Sequence, residues 1–153
     1  MHEDAANSYL SNGDVVVVNR NREPRYKDFI VYKKDGIFYI SRVVATAGQS
    51  VTVMDDILYV NNKVKKEPYI SKIKSEYLST SDTQQPFTSD FSVNTVSNGK
   101  YNEVPKGYYL VLNDDRQNTN DSRSFGLIKE SQIRGVVTFK VLPLNQFGFI
   151  TAE

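Results

Sequence analysis

The sequence predicts a mainly β fold built from antiparallel strands, and three observations carry that expectation. Apolar and β-branched runs of five to seven residues recur from residue 13 onward. Turn dipeptides separate them, and no stretch holds a helical period over a helix of ordinary length.

Taken in order, Asn12-Gly13 precedes the first run, Val15-Val16-Val17-Val18. Phe29-Ile30-Val31-Tyr32 and Ile37-Phe38-Tyr39-Ile40 flank Lys33-Lys34-Asp35-Gly36. Asp-Gly suits a two-residue hairpin loop because both central residues take positive φ. Ser50-Val51-Thr52-Val53-Met54 and Ile57-Leu58-Tyr59-Val60 flank Asp55-Asp56, and Asn61-Asn62 supplies a further turn. Residues 63 to 103 change character: Lys, Ser, Thr, Gln and Asn dominate, and the apolar residues stand alone. Strands return at residues 107–112 and 135–141, with a polar loop between them that ends in Phe125-Gly126-Leu127-Ile128. The expected organisation is a β core of residues 1–62 plus 104–153, with 63–103 as an inserted cap subdomain that has no helix of normal length. Phe29, Phe38 and Phe139 are assigned to the core, and Tyr69, Tyr77 and Phe91 of the insert are expected as contact residues.

Composition narrows the function classes. A chain of 153 residues is long enough to bury one substantial core. The net charge is +1 and no basic run exceeds two residues, which speaks against nucleic acid as a partner, because phosphate binding needs clustered cations. With no cysteine and one histidine, thiolate and histidine-rich metal sites are excluded. Asp55-Asp56 reads as a turn, and Asp114-Asp115 beside Arg116 reads as salt bridges, so neither metal nor cofactor is expected. No stretch reaches the roughly 18 to 20 apolar residues of a membrane helix, and the first residues lack the features of a secretory signal.

The most specific segment runs from Tyr109 to Gly126, Y-L-V-L-N-D-D-R-Q-N-T-N-D-S-R-S-F-G. Taken alone it is a polar loop whose aspartates and arginines can form charge-assisted bonds. It resembles the signature G-D-N-R-x-x-S-x-D-S-R-x-F-G of the bacterial type I signal peptidases. Asp114, Arg116, Asp121, Ser122, Arg123, Phe125 and Gly126 match it, and Asn113, Asp115 and Thr119 depart from it. Residues 39–48, Y-I-S-R-V-V-A-T-A-G, are similar to that family's lysine-bearing strand, K-R-V-I-G-L-P-G-D, with Ser41 in the place of the lysine. Glu67-Pro68-Tyr69 is similar to the E-P-Y of Gram-positive members. Upstream, where the family carries S-M-x-P-T-L-x-x-G-D, alignment on Leu10, Gly13 and Asp14 puts Ala5 in the nucleophile position, and a slip of one residue puts Asp4 there.

The resemblance implies a signal-peptidase-like antiparallel β fold with a core and a smaller cap. It also implies an N-terminal membrane helix preceding residue 1, and a domain on the extracellular face of the cell membrane. It implies that Asp114, Arg116, Thr119, Asp121, Ser122 and Arg123 form the scaffold of the site, with Thr119 where a serine contacts the lysine. The peptide-binding cleft is expected along Phe38, Tyr39, Ile40 and Ser41, with Ala45 and Ala47. A serine nucleophile needs a base, and a lysine serves when burial lowers its pKa. Ala5 has no nucleophilic oxygen and Ser41 is no base near neutral pH. The expectation is therefore a protein that is not an enzyme, similar to the SipA-type proteins of streptococcal pilus assembly. Pilin subunits and the pilus sortase would be its partners, and it would act as their chaperone or binding factor. The alternatives are an active or weakly active signal peptidase with a rearranged nucleophile, through Ser8 or Asp4, and a decoy that binds preproteins.

Overall fold

Two-residue turns set the register of the hairpins. The computed structural model describes residues 14–80, 82, 84–142 and 148–149. The first strands are β1 (Val15–Asn19), β2 (Phe29–Lys34), β3 (Ile37–Ala45), β4 (Val51–Met54), β5 (Ile57–Val60) and the short β6 (Lys63–Val64). Lys34 pairs with Ile37, Met54 with Ile57, and Val60 with Lys63, which leaves Asp35-Gly36, Asp55-Asp56 and Asn61-Asn62 as the loops. All six loop residues have φ between 50° and 82°. That is the type I′ pattern, whose twist matches the flanking strands and which Asn, Asp and Gly tolerate best.

The later strands are β7 (Phe91–Ser92), β8 (Tyr108–Leu112), β9 (Ile128–Lys129), β10 (Ile133–Leu142) and β11 (Gly148–Phe149). Antiparallel pairing sorts them into a large sheet, ordered β1-β10-β2-β3-β8-β9 with β11 on β10, and a small one, ordered β6-β5-β4-β7. The boundaries expected at 62 and 104 do not follow the sheets. β4 and β5, from the expected core, pair with β6 and β7, from the expected insert.

The expectation of no ordinary helix in the insert is corrected by α1 (Ser71–Thr80), followed by the one-turn α2 (Val93–Val96) and α3 (Ser122–Phe125). Ile73 and Tyr77 of α1 pack on Tyr69, Ile70 and Phe87, yet no residue of α1 is buried. Two apolar side chains one turn apart on a polar helix make too faint a period to read.

Between the sheets, Val44, Ala45, Leu110 and Leu112 meet Val51, Val53, Leu58 and Phe91. An irregularity in β3 between Val43 and Ala45 aids this packing. Elsewhere the large sheet buries Ile30, Tyr32, Tyr39, Val43, Tyr109, Val111, Ile128 and Val136 together. Phe29 is in the core as expected, but Phe38 is 47% exposed, because strand alternation points it away from Tyr39 at the hairpin end. Tyr69 and Phe91, expected as contact residues, are buried packing residues. The side chain of Phe139 lies outside the described residues.

Candidate functional site

Ser41 sits in β3, opposite Ile30 of β2, with its side chain fully buried. Its hydroxyl donates to Asn113 Oδ1 at 2.7 Å and lies 2.9 Å from the Tyr32 hydroxyl, which therefore donates to Ser41. Asn113, just past the end of β8, sends its Nδ2 to the carbonyls of Asn118 and Asn120, at 3.1 and 3.2 Å. Its own N–H donates to Asp121 Oδ2 and its carbonyl accepts from Arg116 Nε. Every member of this buried chain of neutral groups is satisfied, the condition under which a polar network stabilises a core. Burial pushes the Tyr32 phenol far above its ordinary range, outweighing the Ser41 hydrogen bond. Neither hydroxyl takes up a proton near neutrality.

The loop after β8 is fastened by buried charge. Asp121 caps α3, accepting from the Arg123 N–H through Oδ1 and from Arg123 Nη2 through Oδ2 at 2.7 Å. Arg123 reaches back to the carbonyls of Arg116 and Asn118. Ser122 Oγ accepts from the Val111 N–H, pinning α3 to β8. Below the loop, Arg42 of β3 forks onto both oxygens of Asp114 at 2.9 Å, with its guanidinium 4.2 Å from the ring centroids of Phe29 and Tyr69. Arg116 binds both carboxylate oxygens of Glu67 and the Thr88 hydroxyl. Arginine suits both places because its planar fork matches a carboxylate and stacks on rings. Glu67 and Thr88 belong to the insert, so these bonds tie it to the loop.

The expected residues fall in different places. Asp114, Arg116, Asp121 and Ser122 are buried within the network, and Arg123 is mostly so. Thr119 is exposed, its carbonyl accepting from Ser124 Oγ, and Asn113 takes the contact with position 41 that was expected of it. The expected cleft also needs correction. Strand alternation turns Tyr39 and Ser41 to one face and Phe38 and Ile40 to the other, while Ala45 is fully buried between the sheets. Ala47 is exposed and lines a groove of about 650 Å³ with Arg25, Tyr26, Tyr108 and Tyr109. Asp4, Ala5 and Ser8 lie outside the described residues.

Sequence reasoning missed Tyr32 and the role of Asn113. A usable signal was present. Ser41 is small where the family pattern has lysine, and Asn113 is larger where it has glycine; the two positions, 72 residues apart, meet side chain to side chain. Among the described residues no group of three or more His, Cys, Asp or Glu could hold a metal ion, and no helix is long and apolar enough to cross a membrane.

The family model described as signal peptidase, peptidase S26, matches residues 3–142. Signal peptidase IB of Staphylococcus aureus strain MRSA252 is 36% identical over 142 residues, 92% of this chain and 65% of its own length. The chain thus spans just under two-thirds of that relative. Signal peptidase I of Bacillus caldolyticus is 37% identical over 147 residues, covering 92% of this chain and 76% of the relative. A crystal structure of a signal peptidase I from Enterococcus faecalis V583 matches with a TM-score of 0.68 at 30% identity, covering 76% of this chain and 98% of that one. These matches overturn the expectation that the chain is not an enzyme. That expectation rested on Ser41 and on the departures from the upstream motif, at Ala5 and at its Met and Pro positions, which lie outside the described residues. The relatives that share over a third of the sequence are, by contrast, named as peptidases.

Proposed function

The chain belongs to the signal peptidase family, peptidase S26, and we propose that it is an endopeptidase of that class acting on secreted preproteins through a rearranged catalytic group. The observation that supports this reading is the fastening of residues 113–126, to β3 by Arg42–Asp114, to the insert by Arg116–Glu67 and within itself by Arg123–Asp121. A loop held by three buried or mostly buried ion pairs is the kind of rigid support that a site needs to place reacting groups.

Ser41 does not supply a base, since its proton is committed to Asn113. Its part is to hold Asn113, and through it the loop. The reacting group then comes from the segment before β1. An ionised Asp4 accepts a proton from a water that attacks the scissile carbonyl carbon, and the proton passes on to the departing amine. Ser8 needs a separate base for the same work. Hydrolases that lose their usual base or nucleophile drop on the order of 10⁶ in turnover, so slow cleavage is expected. Pilin subunits are proposed as clients at the extracellular face of the cell membrane, with the pilus sortase as a neighbour, on the strength of the motif resemblance alone.

The test is long incubation of a preprotein with the protein, with products read by mass spectrometry. Cleavage at one site that Asp4→Asn or Ser8→Ala abolishes is expected. No product, or a product that survives both changes, sinks the reading. Pull-downs in which pilins are enriched no more than other preproteins remove the pilin assignment.

A further inference from the structure

We infer that the cap carries a second binding site, a lysine-rimmed groove that takes an acidic, extended segment of a protein partner. The groove lies between the start of β5, the chain after β6 and the start of α1, and holds about 360 Å³. Ile57 and Val64 line it and stay 40% and 61% exposed, which places two of the chain's exposed large apolar side chains at one concave spot. Lys65, Lys66 and Lys74 ring it.

Charge decides the kind of occupant. Residues 63–74 hold five lysines and one glutamate, a net of +4 in a chain whose total is +1. The two acidic side chains in the lining are already engaged. Glu67 is bound by Arg116, and Asp56 accepts from the N–H groups of Phe87 and Thr88 and sits 3.5 Å from Lys74 Nζ. Lys74 is itself held by Asp56, and Lys65 lies 4.5 Å from the Tyr26 ring centroid, a contact that leaves its charge unneutralised. The positive charge left to an incoming ligand is therefore that of Lys65 and Lys66, with Lys63 and Lys72 nearby. Backbone geometry suits an extended one, because the two-residue β6 is an edge strand of the small sheet. A strand laid along such an edge gains main-chain bonds while alternate side chains enter pockets. The concave shape favours a peptide over a lipid surface, which takes up protruding apolar side chains on a basic face. The groove shares Glu67 with the fastening of the loop through Arg116, so the variants below leave Glu67 and Arg116 in place and alter Val64, Lys65 and Lys66 alone.

The probes are a fluorescein-labelled ten-residue peptide of alternating Glu and Leu, its Lys-for-Glu counterpart, and phosphatidylglycerol vesicles. Anisotropy is read on the wild type, on K65E/K66E and on V64D, each with its melting curve. Saturable binding of the acidic peptide alone is expected, weakened at least about tenfold by each variant and weakened by salt. Binding that the variants leave unchanged, or vesicle binding without peptide binding, overturns the proposal. Absence of any binding, with the variants aggregating more readily, also overturns it and assigns the lysines to protection of the β6 edge.

Discussion

Replacing Ser41 by lysine tests whether Ser41 and Asn113 jointly fill a closed space. Position 41 is fully buried, and its neighbours there are the Asn113 amide oxygen and the Tyr32 hydroxyl, both neutral. The charged groups bonded to the Asn113 backbone are both already paired, Asp121 with Arg123 and Arg116 with Glu67. Overpacking by the longer side chain costs about 1–3 kcal/mol. A buried ammonium without a counter-charge also has its pKa lowered, at about 1.4 kcal/mol per unit, so a displacement of roughly three units adds about 4 kcal/mol. Together these approach the whole stability of an ordinary domain. The sign follows from linkage: with the folded pKa below the unfolded one, the unfolded chain binds the extra proton. The ionisation part of the deficit is then full at low pH and shrinks as pH rises toward lysine's ordinary range. Urea unfolding followed by circular dichroism at pH 6, 7.5 and 9 measures it, with Ser41→Met as the neutral control that carries the packing cost alone and no pH slope. Adding Asn113→Gly to Ser41→Lys opens the space and should recover at least about 1 kcal/mol relative to the sum of the two single changes. A lysine variant as stable as wild type at pH 6, or strict additivity in the double variant, refutes the reasoning.

Three further outcomes follow from the same contacts. Arg116→Met strands the Glu67 carboxylate and should cost about 3–5 kcal/mol in thermal unfolding, most of it recovered by adding Glu67→Gln. Burial raises the pKa of both Tyr32 and Tyr69, with the Glu67 charge adding to the latter, so the stability they contribute is complete below the unfolded tyrosine range and is lost as pH rises above it. Urea midpoints at pH 9 and 11 should fall steeply between the two, less so in Tyr32→Phe. Gly135→Ala drives a Cβ to 2.4 Å from Val18 Cγ1 and 2.7 Å from the Asn19 carbonyl, so it should destabilise by more than the roughly 1 kcal/mol expected of Gly36→Ala, where φ is +82° but no atom lies within 4 Å. Melting temperatures of the two variants compare them directly.

The strands were legible because their causes are local. Each apolar run is short and rich in β-branched and aromatic residues, and Asp35-Gly36 can close a tight loop in few ways. The strand partition was not legible. Which sheet β4 and β5 join depends on β7, more than thirty residues away, and two residues carry no periodicity. α1 escaped for the opposite reason: its stability comes from Ile73 and Tyr77 docking on Phe87, a tertiary contact, and not from its own pattern. At the site, the aspartates and arginines could be read from the signature resemblance, but their partners could not. Arg42 with Asp114, and Arg116 with Glu67, join positions 72 and 49 residues apart. Ala45 was misassigned to a cleft because an irregularity in β3 turns it inward, and strand alternation alone does not foresee that.

Ser41 read alone is a missing base, and that reading leads to a protein without chemistry. Read with Asn113 it is half of an exchanged pair, in which a small side chain at one position and a larger one at the other close the same buried space with good hydrogen bonds. The exchange preserves what the loop needs, since Asn113 still anchors to Asp121 and Arg116 through its backbone as any residue there could. Position 41 therefore contributes to filling this buried space, while the loop's anchoring to Asp121 and Arg116 runs through the Asn113 backbone. On the proposed peptidase reading the reacting group lies outside this network, and replacing Asp4 and Ser8 is the test of that proposal.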